Sequence, residues 1–163
     1  MYAICCTRFT NKTWEQNIIW KRHHNHVGCI YNSPMKIKEK VPLMIVMFMI
    51  EMNNDLNQIM GIGMLKNCVH TDKYYKIYED GNYNRYTYKS SYRIDRYEFE
   101  KTDNMKYIEI LETLIFKGSY HIKRSQGITQ LPDWILNNKH IDFINIFKQM
   151  FIKKYKEGSE QSE

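Results

Sequence analysis

The sequence predicts one α+β domain, built on a small, twisted, mostly antiparallel sheet or partial barrel and flanked by about three helices. Three observations predict it: the chain has 163 residues, its middle is rich in strand signals, and helical periodicity precedes and follows that middle. Two independent domains of half this length would each be only marginally stable. The 43% hydrophobic and 26% charged residues are ordinary for a globular protein. We expect the domain over residues 1–155 and a disordered polar tail over 156–163.

Short apolar segments bounded by turn residues predict the strands. The longest, residues 43–52, is a continuous apolar run suited to a strand buried on both faces. The expected strands are residues 2–7, 29–31, 43–52, 58–65 and 74–78, then a strand or strand pair over 85–96, with turns at 53–57 and 80–82 and a loop or short strand at 125–128. The expected helices are residues 13–22, capped by Asn11 or Thr13, 102–116, and 141–155.

The charge balance indicates an anionic partner. The chain has 24 Lys and Arg against 18 Asp and Glu, a net charge of +6; such an excess bears on association and not on fold. The four cysteines lack the spacing of a secreted disulfide framework, and the N-terminus lacks a signal-peptide pattern. The most apolar window, residues 41–52, is too short to span a membrane. We therefore expect a protein of a reducing intracellular compartment, with no membrane partner and no cofactor.

Residues 83–97 interleave basic and aromatic side chains. Lys and Arg neutralise phosphates and aromatic faces stack on bases, so this segment supplies both needs of single-strand binding. The candidate phosphate contacts are Arg85, Lys89, Arg93 and Arg96, and the candidate stacking residues are Tyr86 and Tyr88. The alternative is a tyrosine-rich strand with a solvated basic face.

Residues 116–128 form a second basic segment, which contains no acid. Gly118 and Gly127 would let backbone amides approach an anion. The candidate contacts are Lys117, Ser119, His121, Lys123, Arg124 and Gln126. The segment lacks the Lys-Ser/Thr pair of a nucleotide-triphosphate loop, so we expect either a phosphate-contact loop or an ordinary basic loop.

Other patterns predict no chemistry. Gly61 and Gly63 lack the further glycine of a dinucleotide fingerprint, and close packing or a bulge explains them better. His26 and Cys29 have zinc-ligand spacing but no matching second pair, so no metal is expected. The carboxylates are scattered, and no catalytic set is expected. Trp14 and Trp20 are core residues in the simpler interpretation; in the other, they line a pocket for a flat base.

The order of elements resembles the PUA-like superfamily, which includes the EVE, ASCH and YTH domains. The resemblance covers residues 2–100 and rests on the opening strand, the Trp14 helix, the apolar strand that ends at Glu51, and the return strand with Gly61-Ile-Gly63. It implies a small twisted barrel that reads RNA or a modified base, with Trp14 and Trp20 as pocket-wall candidates. The high Asn, Lys, Ile and Tyr content resembles that of proteins from AT-rich genomes, such as those of large DNA viruses.

These observations predict a non-catalytic nucleic-acid-binding module, with RNA favoured over DNA, that reads a base in a basic, aromatic-lined pocket. The alternative is a structural or assembly protein whose Tyr- and Arg-rich surface binds another protein or a second copy of the chain. Phosphate binding weakens steeply with salt, whereas an aromatic interface does not, so salt dependence discriminates the two.

Overall fold

The structure, a computed structural model, describes residues 1–160, and the side chains of residues 1–156. It confirms the predicted α+β class. The strands are β1 (Tyr2–Phe9), β2 (Cys29–Ser33), β3 (Val46–Asn53), β4 (Gln58–Lys66), β5 (Tyr86–Ser90), β6 (Tyr92–Asp95) and β7 (Thr129–Gln130). The helices are α1 (Asn11–His23), α2 (Arg96–Glu100), α3 (Met105–Phe116), α4 (Asp133–Leu136) and α5 (Phe143–Glu160). The three long helices, α1, α3 and α5, correspond to the three predicted ones.

Five strands form the main sheet, in the order β6-β4-β3-β1-β7. β1 and β3 pair in parallel, from Tyr2 opposite Val46 to Phe9 opposite Asn53, and the other pairs in this sheet are antiparallel. The mostly antiparallel sheet is thus confirmed. β2 and β5 form a separate antiparallel ribbon, and no closed barrel forms within residues 1–160.

The main sheet is covered on both faces, which explains the unbroken apolar run of β3. Phe48 and Ile50 point toward α3 and α5, whereas Met47 and Met49 point toward α1 and the ribbon. All four side chains are fully buried. An apolar run without polar alternation is the pattern expected of a strand buried on both sides. The prediction is confirmed for residues 46–52, whereas Leu43 and Met44, which are 83% and 54% exposed, lie outside the strand.

Helix ends differ from the predictions. The cap of α1 is Thr10, and not Asn11 or Thr13: its hydroxyl accepts from the Thr13 amide, and the Thr13 hydroxyl accepts in return from the Thr10 amide. Such a reciprocal pair satisfies two otherwise unpaired amides. α5 continues through Glu160, and residues 161–163 of the predicted polar tail lie outside the described part of the chain.

Residues 74–78 are not a strand, although Tyr75, Ile77 and Tyr78 are buried. The Asn84 side chain takes over the role of a partner strand: its Oδ1 accepts from the amides of Ile77 and Tyr78, and its Nδ2 donates to the Tyr78 carbonyl. The buried backbone is thus satisfied without a sheet ladder. The predicted pair over residues 85–96 becomes β5 and β6, which join different sheets, and residue 96 already belongs to α2.

The glycines of β4 lie where a side chain could not fit. A Cβ on Gly63 would overlap the Tyr31 hydroxyl and would lie 2.7 Å from Cys29 Sγ. A Cβ on Gly61 would lie 2.5 Å from Arg93 Nη2. Close packing against β4 therefore explains both glycines. No helix within residues 1–160 has the length and apolarity needed to cross a membrane.

Candidate nucleic-acid interface

Two adjoining cavities of about 270 and 530 Å³ lie beside the β2–β5 ribbon and share His70, Lys73 and Tyr75 as lining residues. Together they are named the ribbon groove. The smaller cavity is also lined by Lys36, Tyr74, Arg85 and Tyr86, and the larger one by Trp20, His24, His26, Lys89 and Ser90. Among the described residues, those that line the groove include four Lys and Arg side chains from three separate chain segments and no carboxylate.

Tyr75 is the centre of this groove. The ammonium groups of Lys73 and Lys89 lie 5.1 and 5.0 Å from the centroid of its ring. Each gains from the ring's negative face, but two like charges beside one ring also repel each other. The Tyr75 hydroxyl donates to the exposed Asp72 carboxylate at 2.8 Å, and this hydrogen bond lowers the pKa of Asp72. A single solvated carboxylate leaves the groove with an excess of positive charge.

The aromatic side chains of the groove differ in exposure. Tyr74 is 65% exposed, and Tyr86 is half-buried with Lys36 Nζ 5.6 Å from its ring centroid. Trp20 is only 9% exposed and stacks on His24 with centroids 4.1 Å apart. Tyr88 is 1% exposed, and its hydroxyl accepts from the Ile37 amide. The structure thus places Tyr88 in the core and Trp20 in the groove wall, behind His24.

Arg93 is committed to an internal ion-pair network. Its guanidinium makes two hydrogen bonds of 2.7–2.8 Å to Glu51 and one of 2.7 Å to Asp95, and the Tyr31 hydroxyl donates to Glu51 at 2.7 Å. The Arg93 and Glu51 side chains are 11% and 2% exposed. Burial would lower the pKa of Arg93, but the charge of Glu51 outweighs it and raises that pKa above its ordinary value. A phosphate would have to displace two carboxylates to bind there.

Arg96 is similarly engaged. Its guanidinium donates to Glu112 and to the Ile59 carbonyl, both at 2.9 Å, and pairs with Glu100 at 3.2 Å. The basic segment 83–97 therefore divides. Arg85 and Lys89 line the ribbon groove, whereas Arg93 and Arg96 join elements of the fold to each other.

Trp14 lines a different cavity, of about 580 Å³, that we name the Trp14 cleft. The Trp14 ring packs edge-to-face on Phe9, and Arg93 Cζ lies 5.6 Å from the centroid of the Trp14 ring. The cleft is lined by Trp14, Ile18, Lys21, Arg22, Asn25, His26, Val27, Arg93 and Asp95. The two predicted pocket-wall tryptophans thus belong to two cavities, which meet at residues 25–27.

The second basic segment is held elsewhere. Arg8 anchors it by donating to the carbonyls of Ile122 and Gly127, at 2.7 and 3.3 Å. Lys123 Nζ donates to Asn57 Oδ1 at 2.7 Å, and the Lys123 amide donates to His121. The remaining predicted contacts are exposed: Lys117, Ser119, Arg124 and Gln126. None of these predicted residues is among the described residues that line the ribbon groove.

The histidines around the groove have polar partners of their own. His24 Nδ1 lies 2.8 Å from the Trp20 carbonyl, and His26 Nε2 lies 2.9 Å from the Cys29 carbonyl. Within residues 1–160, no group of three or more His, Cys, Asp and Glu side chains could hold a metal ion.

Sequence reasoning missed several groove residues: Lys36, His70, Lys73 and Tyr74. The run Lys73-Tyr-Tyr-Lys76 shows the same interleaving as residues 83–97 and was the signal available for two of them. Nothing local marks Lys36 or His70, because only the fold brings them beside Tyr75. Comparison with known proteins adds no relative: no family model, curated protein or solved structure matches the chain.

Proposed function

We propose that this chain is a nucleic-acid-binding module that holds a single strand in the ribbon groove. The observation that carries the proposal is the pair of ammonium groups, Lys73 and Lys89, beside the same Tyr75 ring, in a groove whose lining, among the described residues, contains no carboxylate. A phosphate placed between two such cations relieves their mutual repulsion and gains from both. The groove is therefore suited to a polyanion.

The aromatic side chains supply the second requirement of single-strand binding. Tyr74 offers an exposed ring at the rim, and Tyr86 offers part of one beside Lys36. Base stacking on such rings is worth about 1–3 kcal/mol per base and tolerates any sequence. The strand's backbone would follow Lys36, Arg85, Lys73 and Lys89 while its bases stack on these rings.

We favour RNA because the resemblance to PUA-like domains implies it, and we extend the proposal to recognition of a modified base on the same ground. In this proposal the module binds and does not catalyse. The exposed Lys117 and Arg124 of the second basic segment remain candidates for contacts with a longer strand.

Fluorescence anisotropy with single-stranded and duplex RNA and DNA, plain and methylated, tests the proposal. Affinity for a single strand should fall steeply with salt, and Lys89→Gln should reduce the slope of log K against log salt by about 0.7. Lys106→Gln is the matched control, since Lys106 also lies 5.0 Å from a tyrosine centroid but shares that ring with no second lysine. No binding at low salt, or equal effects of the two variants, would refute the groove.

Stacking has its own matched pair of variants. Tyr74→Ala should weaken single-strand binding by about 1–3 kcal/mol, roughly 5- to 150-fold. Tyr97→Ala removes a similarly exposed tyrosine outside the groove and should leave affinity unchanged. Equal losses from both would show that Tyr74 has no special role.

One observation favours the alternative, a protein that assembles through an aromatic interface. Tyr120 and Trp134 are 78% and 50% exposed and pack edge-to-face, with centroids 6.3 Å apart. Exposed aromatic residues of this kind are common anchors in protein interfaces. If the chain binds no nucleic acid but self-associates at high salt, and Trp134→Ala abolishes the association, this alternative replaces the proposal.

A further inference from the structure

Lys21 is the unexplained charge of the Trp14 cleft. It lies in the last turn of α1 and is half-buried, and its Nζ donates to the Gly28 carbonyl at 3.2 Å. An ammonium group carries three donors, and the structure gives this one a single hydrogen bond. Burial, followed by the charge of Arg93, lowers the pKa of Lys21. A partly desolvated cation of this kind lacks the counter-ion that usually accompanies it.

The nearby carboxylates do not supply that counter-ion. Glu51 and Asp95 both attract Lys21 through space, but each is bound to Arg93 at 2.7 Å. Asp95 also accepts from the Tyr97 amide at the start of α2. Among the described residues, the cations that line the cleft are Lys21, Arg22 and Arg93, against the lining carboxylate of Asp95 and the Glu51 carboxylate bound to Arg93. The cleft therefore carries one positive charge in excess.

The position of the cleft relates it to the ribbon groove. Asn25, His26 and Val27 line both cavities, so a single turn of the chain separates them. Val27 is 78% exposed, which leaves the crest of this turn open to solvent. A strand lying in the groove can pass over the crest and reach the mouth of the cleft.

We propose that Lys21, assisted by Arg22, forms a phosphate subsite for the same strand, which crosses residues 25–27 between the groove and the cleft. The inference rests on the proposed function and extends it to a second cavity. In this arrangement Lys21 uses its free donors on a phosphate oxygen. Trp14 and Ile18 form the apolar wall against which the sugar or base of that nucleotide lies. Asp95 lines the same cleft, where its ion pair with Arg93 offsets its charge.

Lys21→Gln tests the subsite, because glutamine keeps a donor for the Gly28 carbonyl but loses the charge. The slope of log K against log salt should fall by about 0.7 for a single-stranded RNA. Lys12→Gln on the same helix is the matched control: Lys12 pairs with Glu79 on the surface, with both side chains more than 70% exposed. Thermal melting of both variants checks that they fold.

A chemical scan of the ligand gives an independent measurement. A neutral methylphosphonate is placed at each linkage of the RNA in turn; at one position it should weaken wild-type binding and leave binding of Lys21→Gln unchanged. If Lys89→Gln changes the salt slope but Lys21→Gln does not, the subsite is wrong and the groove stands. If neither variant changes it, the proposed function itself fails.

Discussion

Removal of the Arg93 side chain is the sharpest test of the buried network. Arg93→Met keeps much of the aliphatic volume and removes the guanidinium, so Glu51 loses both charge-assisted hydrogen bonds. What remains for Glu51 is the hydroxyl of Tyr31. Because the Glu51 side chain is only 2% exposed, water cannot replace these lost hydrogen bonds as it would at the surface.

The expected cost follows from that burial. Breaking a buried ion pair by removing one partner typically destabilises a protein by about 3–5 kcal/mol, because the other charge stays desolvated. Asp95 also loses its pair with Arg93, but its side chain is 33% exposed and regains water. We therefore expect a loss of about 3–5 kcal/mol, nearly all of it due to Glu51.

Equilibrium unfolding in urea measures this loss, with the midpoint and the slope m fitted for each protein. A second change isolates the cause: Glu51→Gln in the Arg93→Met background removes the stranded charge and leaves an acceptor for Tyr31. The double variant should be more stable than Arg93→Met alone. Lys12→Met breaks the exposed pair with Glu79 and should cost less than about 1 kcal/mol.

Two results would refute the reasoning. One is that Arg93→Met lowers the free energy of unfolding by less than about 1 kcal/mol, which would mean that the Arg93–Glu51 pair contributes no more than a surface ion pair does. The other is a double variant no more stable than the single one, which would show that lost packing, and not the unpaired Glu51 charge, causes the destabilisation.

Three further predictions concern stability. Gly63→Ala should cost about 1–3 kcal/mol in urea unfolding, because its Cβ overlaps buried atoms; Gly81→Ala, whose Cβ would meet nothing closer than 3.9 Å, should cost far less. Burial raises the pKa of Cys5 and Cys6 from 9.0 to about 12, so the stability that their protonated thiols contribute is complete below pH 9 and is lost as pH rises toward 12. Over this range, Cys6→Ala should reduce the fall in the free energy of unfolding by about 1.4 kcal/mol per pH unit, which unfolding measured at several pH values will check. Asn84→Ala leaves the buried Tyr78 amide without an acceptor and should lower the free energy of unfolding in urea by about 1–3 kcal/mol, whereas Asn82→Ala on the exposed side of the same turn should change it little.

The secondary structure that depends on local signals could be predicted from the sequence. The apolar run that became β3 and the apolar periodicity of α3 and α5 are properties of consecutive residues, and each lies close to its predicted place. Residues 74–78 show the limit. Their alternation resembles a strand, but a strand needs a partner, and the sequence cannot reveal that Asn84 would bond that backbone instead.

The candidate site could be predicted only in part, for a related reason. Sequence shows which residues are charged but not which charges meet. Arg93 and Glu51 are 42 residues apart, and they meet because β4 lies between β3 and β6 and has Gly61 at the crossing point. Lys89, four residues before Arg93, belongs instead to the ribbon and reaches the groove. Adjacent cations in one basic segment therefore acquired different roles.

This division predicts that cations of the same segment contribute differently to nucleic-acid binding. The Arg96 guanidinium donates to Glu112 and to the Ile59 carbonyl. Arg96→Gln should therefore lower the free energy of unfolding and leave the slope of log K against log salt unchanged for the folded protein. Lys89→Gln should reduce that slope by about 0.7 with little loss of stability. Anisotropy titrations over a range of salt, made well below both melting temperatures, separate the two effects. Equal slopes for the two variants would mean that net charge, and not the ribbon groove, governs binding, since each substitution removes one positive charge from the same stretch of chain.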